Sequence, residues 1–132
     1  MRNFIISLIS LLIILCLWSG FSFYSKETTD SLQKQSHKLI VSSIRNEDWR
    51  AAEIDYRKLS RMWHKYRKTA VIFLDSKDIN EIDSTMDKAH LYMQAKDVSN
   101  STGEFSYLKD KFGFLYQNDK VSIAKITLTT AT

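Results

Sequence analysis

The chain has 132 residues, a formal net charge of +4, a single cysteine, three glycines and no proline. One cysteine excludes a disulfide framework within the chain. The lack of proline and the scarcity of glycine disfavour many-turned β-sandwiches and barrels, because tight turns rely on these two residues. We therefore predict an all-α protein with few connections.

The first predicted element is an apolar segment, FIISLISLLIILCLWSGFSFY, which lies within a stretch of 23 residues, Asn3 to Ser25, that carries no charged side chain. As a helix rising about 1.5 Å per residue, positions 4–23 are about 30 Å long, which is the thickness of the hydrocarbon layer of a bilayer. The segment is therefore predicted to span a membrane.

A cleaved signal peptide has the same layout, so the cleavage site has to be considered. Small residues at the two key positions of a cleavage site are offered only by Gly20 and Ser22, and the bulky Phe21 lies between them. This is a poor match to a small-x-small cleavage site, and we predict that the segment is retained. The predicted organisation is a transmembrane anchor over 1–25 and a helical bundle domain over 26–132.

The orientation of this anchor is less well determined by the sequence. Arg2 stands alone before the apolar segment, whereas Lys26, Lys34 and Lys38 follow it. The excess of positive charge after the segment argues for a cytoplasmic body. A short N-terminal tail in a signal-like layout argues for export of the body. We expect a single-pass protein of the cell membrane with an extracytoplasmic body.

The second predicted helix covers residues 47–74. Asn46 is a suitable N-cap residue, and acidic residues follow it in the first turn, where they favour the positive end of the helix dipole. Apolar residues then recur at alternating steps of three and four: Trp49, Ala52, Tyr56, Leu59, Trp63, Tyr66, Ala70 and Phe73. This spacing predicts a buried seam, with Trp49, Tyr56, Leu59 and Trp63 as structural core residues.

Two more helices are predicted downstream. Asp78 and Glu81 have capping-box spacing ahead of an apolar row, and this helix is expected to end near Asp97. The tract DVSNSTG predicts a loop, and Ser101 with Glu104 repeats the capping spacing at the start of the last helix. Residues 121–129 alternate as a strand does, but no neighbouring strand is predicted, so we assign them to the helix.

The apolar segment is expected to continue outward as a helix. Leu32, Leu39, Ile40 and Ile44 lie on one helical flank after it, and no helix breaker intervenes. The predicted fold is a single N-terminal transmembrane helix that continues into an antiparallel bundle of three to four helices.

A basic run marks the second helix. Residues 57–68 contain Arg57, Lys58, Arg61, Lys65, Arg67 and Lys68 and no acid. Such a run can contact anionic lipid headgroups, for which Arg57, Arg61, Lys65 and Lys68 are the candidates. The favoured alternative is pairing with the acids of residues 75–87 across a helical hairpin. A nucleic-acid partner is not expected, because no nucleic-acid-binding motif is present.

Chemical motifs are absent from the sequence. His37, His64 and His90 have no metal-ligand spacing to each other or to Cys16, and no phosphate-binding loop or nucleophile-base arrangement is present. We therefore predict no catalytic, cofactor or metal site and no enzymatic activity.

Several motifs resemble a known family. In order, these are the apolar segment, NEDW and Ala52 at the start of the second helix, Leu59 and Trp63 within it, and FLDSKDINEID at the hairpin turn. This order is similar to that of an uncharacterised domain-of-unknown-function family of small, membrane-anchored helical proteins from spore-forming Gram-positive bacteria. The resemblance implies that Trp49 and Trp63 are core tryptophans. It also implies an acidic turn formed by Asp75, Glu81, Ile82 and Asp83, in which Ser76 and Lys77 depart from the usual pair. The family's gene neighbourhood implies an accessory role beside polytopic membrane proteins.

Two functional hypotheses follow. In the first, the protein is a non-enzymatic accessory or interaction subunit of a larger, polytopic membrane protein, and a homo-oligomer is left open. In the second, the bundle is a sensor or binding module for a small ligand or for anionic lipid headgroups, with Trp63, His64 and Tyr66 beside the basic run.

Overall fold

The computed structural model describes the backbone of residues 2–131 and the side chains of residues 2–115. Its elements are helices α1 (Arg2–Lys38), α2 (Trp49–Phe73), α3 (Ser76–Gln94) and α4 (Val98–Ala131), with a π-helical segment, Leu39–Ile44, directly after α1. No strand is present between residues 2 and 131, so the predicted all-α class is confirmed. Residues 121–129 lie within α4, as predicted.

Helix α1 joins the apolar segment to the bundle without a break. Its inward positions include small polar residues, since Ser25, Thr29 and Ser36 are buried. The Thr29 hydroxyl donates to the Ser25 carbonyl (2.7 Å) and the Ser36 hydroxyl to the Leu32 carbonyl (2.8 Å). These bonds within the helix satisfy the hydroxyls, so polar residues are buried there without an unmet hydrogen bond.

The π-helical segment ends this long helix. Within it the chain is wound more widely than in an α-helix, as the 3.0 Å bond from the Arg45 amide to the Ile40 carbonyl shows. The predicted apolar flank is buried along its whole length: Leu32, Leu39, Ile40 and Ile44. The wider turn also directs Ser43 inward, where its hydroxyl donates to the Asp55 carboxylate of α2 over 2.7 Å.

Helix α2 begins later than predicted. Glu47 has a φ of 53° and closes the preceding helix, with the Asp48 amide donating to the Ser43 carbonyl over 3.0 Å. This is the bond of a Schellman C-cap. Asp48 is then the N-cap of α2, since its carboxylate accepts from the Ala51 amide at 3.2 Å. The prediction of Asn46 as N-cap is wrong, because that residue belongs to the end of the previous helix.

The connection between α3 and α4 repeats this arrangement. Lys96 has a φ of 57°, the Asp97 amide donates to the Tyr92 carbonyl (3.0 Å), and the Asp97 carboxylate accepts from the Asn100 amide (3.0 Å). The predicted loop is wrong, since α4 begins at Val98 and Ser101 lies in its first turn. Short polar side chains suit an N-terminal turn as well as a loop, because they bond to nearby backbone groups.

The α2–α3 turn is equally short. The Asp75 side chain accepts from the Lys77 amide at 3.0 Å and is the N-cap of α3. The capping residue is therefore Asp75 and not Asp78, which lies in the first turn. The helix ends at Gln94, three residues before the predicted end.

The four helices form an up-down-up-down bundle. Helix α1 packs against α2 and α4, and α3 packs against the same two helices from the other side. Trp63, Tyr66, Phe105 and Phe112 are the largest fully buried side chains of this core. The predicted continuation of the N-terminal helix into an antiparallel bundle is confirmed, with α1 as the fourth member.

The first half of α1 projects beyond the bundle. Its large apolar side chains between Phe4 and Leu17 are about half exposed or more. Among the described residues, this helix alone is long and apolar enough to cross a membrane. A helix of the bundle core would have its apolar residues buried, whereas these are not.

Candidate functional site

The basic residues of α2 form a stripe on the outer face of the bundle. Arg57, Arg61, Lys65 and Lys68 follow one another at steps of four, four and three, which places them on one side of the helix, and all four are exposed. Arg57 pairs within its own helix with Glu53 at 3.5 Å. Within residues 2–115, Arg61, Lys65 and Lys68 make no ion pair. We call these four residues the basic stripe.

The predicted pairing across the α2–α3 hairpin is wrong for most of these residues. Only Arg67 of the basic run reaches an acid of α3, the Asp83 carboxylate at 2.9 Å. Asp78 and Glu81 instead contact Lys111 of α4, at 3.2 and 3.3 Å. The acids of α3 point toward both neighbouring helices, whereas the basic stripe points away from the bundle, so helical phase prevents the pairing.

The predicted core residues are largely where the sequence placed them. Tyr56, Leu59 and Trp63 are buried, and Trp49 is half-buried at the edge of the core. The Trp63 indole N–H donates to the Asp83 carboxylate over 2.7 Å. This bond satisfies the polar atom of a buried tryptophan, so Trp63 is a packing residue and is not available to a ligand.

A groove of about 330 Å³ lies between α2 and α3. Trp63, Arg67 and Asp83 line it, and the Trp63 and Arg67 side chains both donate to the Asp83 carboxylate. Tyr56 also lines this groove, and its ring stacks on the His90 imidazole with 4.1 Å between ring centres. Burial, together with the nearby charges of Asp87 and Glu53, raises the pKa of Tyr56 to about 12.

This groove does not have the features of a catalytic centre. His90 Nε2 lies 3.0 Å from the Glu53 carboxylate, so its ring is held by an acid and by the stacked Tyr56. His64 is exposed and its Nδ1 lies 2.7 Å from the Ser60 carbonyl of its own helix. Among the described residues, no three histidine, cysteine or acidic side chains converge as a metal site would require.

An aromatic cluster closes the end of the bundle from which the apolar half of α1 projects. We call this the basal end. The Phe73 ring stacks on Phe21 with 4.2 Å between centres and meets Trp18 edge-on at 5.6 Å. One helical turn after Phe21 on α1, the hydroxyls of Ser25 and Tyr66 are 2.5 Å apart. The end of α2 is therefore packed directly onto α1.

The comparisons with known proteins identify the family. A family model for DUF4363, a domain of unknown function, matches residues 20–126. The chain belongs to the DUF4363 family. No curated protein and no solved structure matches the chain. The predicted resemblance to a family of unknown function is thus confirmed at that level.

The DUF4363 match begins at the basal end. It includes Phe21 and the four helices of the bundle but leaves out most of the exposed apolar half of α1. Phe21 and Ser25 are buried in the bundle, although they lie in the apolar stretch of the sequence. Their spacing to Leu32 and Leu39 continues the buried face of α1, and this periodicity is the signal from which their role can be read.

The α2–α3 corner of this DUF4363 protein, Val71–Leu74, is a surface feature that the apolar pattern of the sequence did not predict. Phe73 was placed on the apolar seam, but Val71 and Ile72 were not considered, and both are exposed. The signal is helical phase: Ile72 is 18 residues after Ile54, which is five full turns, so both lie on the outer face.

Proposed function

We propose that this protein is a non-enzymatic, single-pass membrane protein of the cell membrane whose bundle is an accessory or interaction subunit of a larger membrane protein. The observation that carries the proposal is that α1 runs unbroken from its exposed apolar half into the bundle core. No flexible linker separates the two parts, so the bundle stands directly above the place where α1 leaves the bilayer.

The exposed half of α1 requires an apolar environment. Leu8, Ile9, Leu11, Ile14 and Leu17 together occupy all sides of the helix, and each is about half exposed. Burying a side chain of this kind contributes about 1.5–3 kcal/mol. A bilayer covers every side of such a helix, whereas a single soluble partner covers only one, so the pattern favours lipid.

An accessory role is supported by what the bundle lacks and by what it exposes. Its grooves have polar groups that bond to each other, as at Trp63, Arg67 and Asp83. Its outer faces carry single apolar residues, including Leu91 on α3 and Phe114 on α4. These features suit contact with another protein better than chemistry on a substrate.

Photo-crosslinking in native membranes tests the accessory role. A photoreactive residue at Leu11, Leu91 or Phe114 is expected to give a discrete adduct with a membrane protein, and the exposed polar position Ser84 is the matched control on α3. An adduct of twice the mass of this chain would identify a second copy. If every position yields only lipid adducts and the protein migrates alone in mild detergent, the accessory role is wrong.

The body is proposed to be extracytoplasmic, and cysteine labelling tests this. Ser99 is exposed at the end of the bundle distant from the basal end. In a Cys16→Ser background, the Ser99→Cys variant should react in intact cells with a maleimide that cannot cross membranes. Reaction only after the cells are broken would place the body in the cytoplasm.

A second candidate function is binding of anionic lipid headgroups. It is supported by the exposure of Lys65 and Lys68, which have no ion-pair partner within residues 2–115. A small ligand held between helices has less support, because Trp63 and Tyr66 are fully buried and packed against other rings.

A further inference from the structure

The α2–α3 corner presents apolar side chains outward at the basal end. Ile72 is 75% exposed and Val71 is 47% exposed, although both follow directly on the buried Ala70. Single exposed apolar residues are common on protein surfaces. A role for these two residues is therefore argued from their position in the molecule and not from their exposure alone.

The corner lies beside the end of the apolar stretch of α1. The ring of Phe73, next to Ile72, is stacked on Phe21 with 4.2 Å between centres and lies 5.6 Å from Trp18. Phe21 is two residues before Phe23, the end of the stretch that matches the hydrocarbon thickness. With α1 across a bilayer, the corner is therefore held at the boundary between hydrocarbon and headgroups.

Two lysines of α2 lie near the corner, on the side that faces away from the hydrocarbon. Lys68 precedes Ile72 by four residues and Lys65 by seven, which places them about 6 and 10 Å farther from the hydrocarbon along α2. The headgroup layer is about 5–8 Å thick on each side, so the backbone of Lys68 falls within it, and that of Lys65 lies just outside it, within reach of its long side chain. Glu27 lines the same groove as Lys65 but makes no ion pair with it.

The rest of the basic stripe lies too far away to take part. Arg61 and Arg57 precede Ile72 by 11 and 15 residues, or about 16 and 22 Å along the helix. Arg57 is also paired with Glu53. The distance divides the stripe into a near pair of lysines and a distant pair of arginines.

The acids near the corner limit how deeply it can enter. Asp75 is exposed and its carboxylate accepts from the Lys77 amide, while Asp78 is paired with Lys111. A charged carboxylate is costly to bury in hydrocarbon. The corner therefore fits the headgroup region and the outermost acyl layer.

We propose that the α2–α3 corner is a second membrane contact of this protein, in which Val71 and Ile72 insert at the boundary of the leaflet while Lys65 and Lys68 bind anionic lipid headgroups. This inference rests on the proposed function, since it requires α1 to span the bilayer. Two separate contacts, α1 and the corner, fix the tilt of the bundle on the membrane.

Environment-sensitive labels on single cysteines test the corner. The purified full chain, in a Cys16→Ser background, carries a nitrobenzoxadiazole label at Ile72→Cys and is reconstituted into vesicles with and without phosphatidylglycerol. If the corner contacts the leaflet, the label at Ile72 is expected to emit at a shorter wavelength and to be quenched by lipids that carry a nitroxide near the headgroup. The matched control is Ile54→Cys, which is 62% exposed on the same face and about 27 Å farther out.

A third label separates failure of this inference from failure of the proposed function. Leu12→Cys lies in the middle of the apolar stretch, so its label is read with lipids that carry the nitroxide deep in the acyl chain. A quenched label at Leu12 with unquenched labels at both Ile72 and Ile54 overturns the corner contact and leaves the anchor intact. An unquenched label at Leu12 overturns the anchor itself.

Charge variants test the headgroup contact. Lys65→Gln with Lys68→Gln should lower the ratio of docked to undocked label at Ile72 by about tenfold or more in phosphatidylglycerol vesicles, since each lysine near an anionic surface contributes about a fivefold effect. The control pair, Arg57→Gln with Arg61→Gln, lies about 16 Å or more from Ile72 along α2 and should leave the ratio unchanged. Equal effects of both pairs would contradict a specific role for the two lysines.

Discussion

At the scale of single residues, two glycines of α4 differ in their surroundings. A Cβ atom added at Gly103 meets nothing within 4 Å, whereas one added at Gly113 lies 2.6 Å from Gln33 Nε2. That nitrogen donates to the Lys109 carbonyl at 3.0 Å. Gly113 therefore allows a side chain of α1 to bond to the backbone of α4, while Gly103 has no such role.

We expect Gly103→Ala to stabilise the protein by about 0.5–1 kcal/mol, because alanine loses less backbone entropy in a helix. Gly113→Ala gains the same term but displaces Gln33, and the lost hydrogen bond costs about 0.5–1.5 kcal/mol. Unfolding of the full chain in detergent micelles, followed by tryptophan fluorescence, measures the difference. Equal stabilisation by both changes would show that Gln33 is not held by this bond.

Tyr56 makes the stability of the bundle sensitive to alkaline pH. Burial, with Asp87 and Glu53, raises its pKa from 10.0 to about 12. Between these values the unfolded state releases the phenolic proton and the folded state retains it, so the free energy of unfolding falls as pH rises through this window. The contribution is fully present below pH 10.

Tyr56→Phe should therefore flatten the decline of stability between pH 10 and 12 without changing its slope at lower pH. Unfolding measured as a function of pH for the two proteins isolates this residue, since lysines that titrate in the same range are common to both. Identical slopes for variant and wild type would mean that Tyr56 is not buried in its neutral form.

At the scale of helices, the two connections distant from the basal end share one design. In each, a residue with positive φ closes one helix and the aspartate after it caps the next: Glu47 with Asp48, and Lys96 with Asp97. Neither residue with positive φ is glycine. Connections of this kind contain no separate loop, so each helix is followed almost directly by the next.

The choice of cap at α2 can be measured. Asp48→Ala should lower the free energy of unfolding by about 1 kcal/mol, because the Ala51 amide loses the carboxylate that accepts from it. Asn46→Ala should cost less, since the Asn46 amide bonds only to the Ser42 carbonyl at an exposed site. If Asn46→Ala cost more than Asp48→Ala, the N-cap would be Asn46, as the sequence pattern predicts.

At the scale of the whole molecule, α1 belongs to two environments. Its outer half is exposed and apolar, and its inner half is buried against α2 and α4. Because the helix is continuous, no break separates the two halves. The stacked rings of Phe21 and Phe73 also join α1 to α2 at the basal end.

Cys16 reports on where the apolar half resides. Its side chain is exposed in the isolated protein. In a membrane spanned by α1 it should be protected from a polar maleimide and become reactive only after unfolding in strong detergent, because a polar reagent does not enter the hydrocarbon layer. Reaction of Cys16 in intact membranes at the rate of an exposed thiol, such as that of the Ser99→Cys variant, would contradict the anchor.

The periodicity of apolar residues was sufficient to predict the helices and their buried faces. The seam from Ala52 to Phe73 and the flank from Leu32 to Ile44 were read correctly, because burial of an amphipathic face repeats every three or four residues. Helix starts were predicted less well. Asn46, Asp78 and Ser101 are all suitable capping residues. The residues that cap the three helices are instead Asp48, Asp75 and Asp97, which lie two, three and four positions away.

By itself, the sequence determined that the chain is helical, that its first segment is apolar over the length of a bilayer, and which residues of α2 are inside. Only the tertiary structure decided which charges meet and which residues lie at the basal end. The acids of α3 were expected to pair with the basic run of residues 57–68, yet only Arg67 of that run contacts one of them, and Asp78 contacts Lys111 instead. The reason is that periodicity fixes the direction of a side chain relative to its own helix, while the rotation and height of neighbouring helices depend on the packing of the whole core.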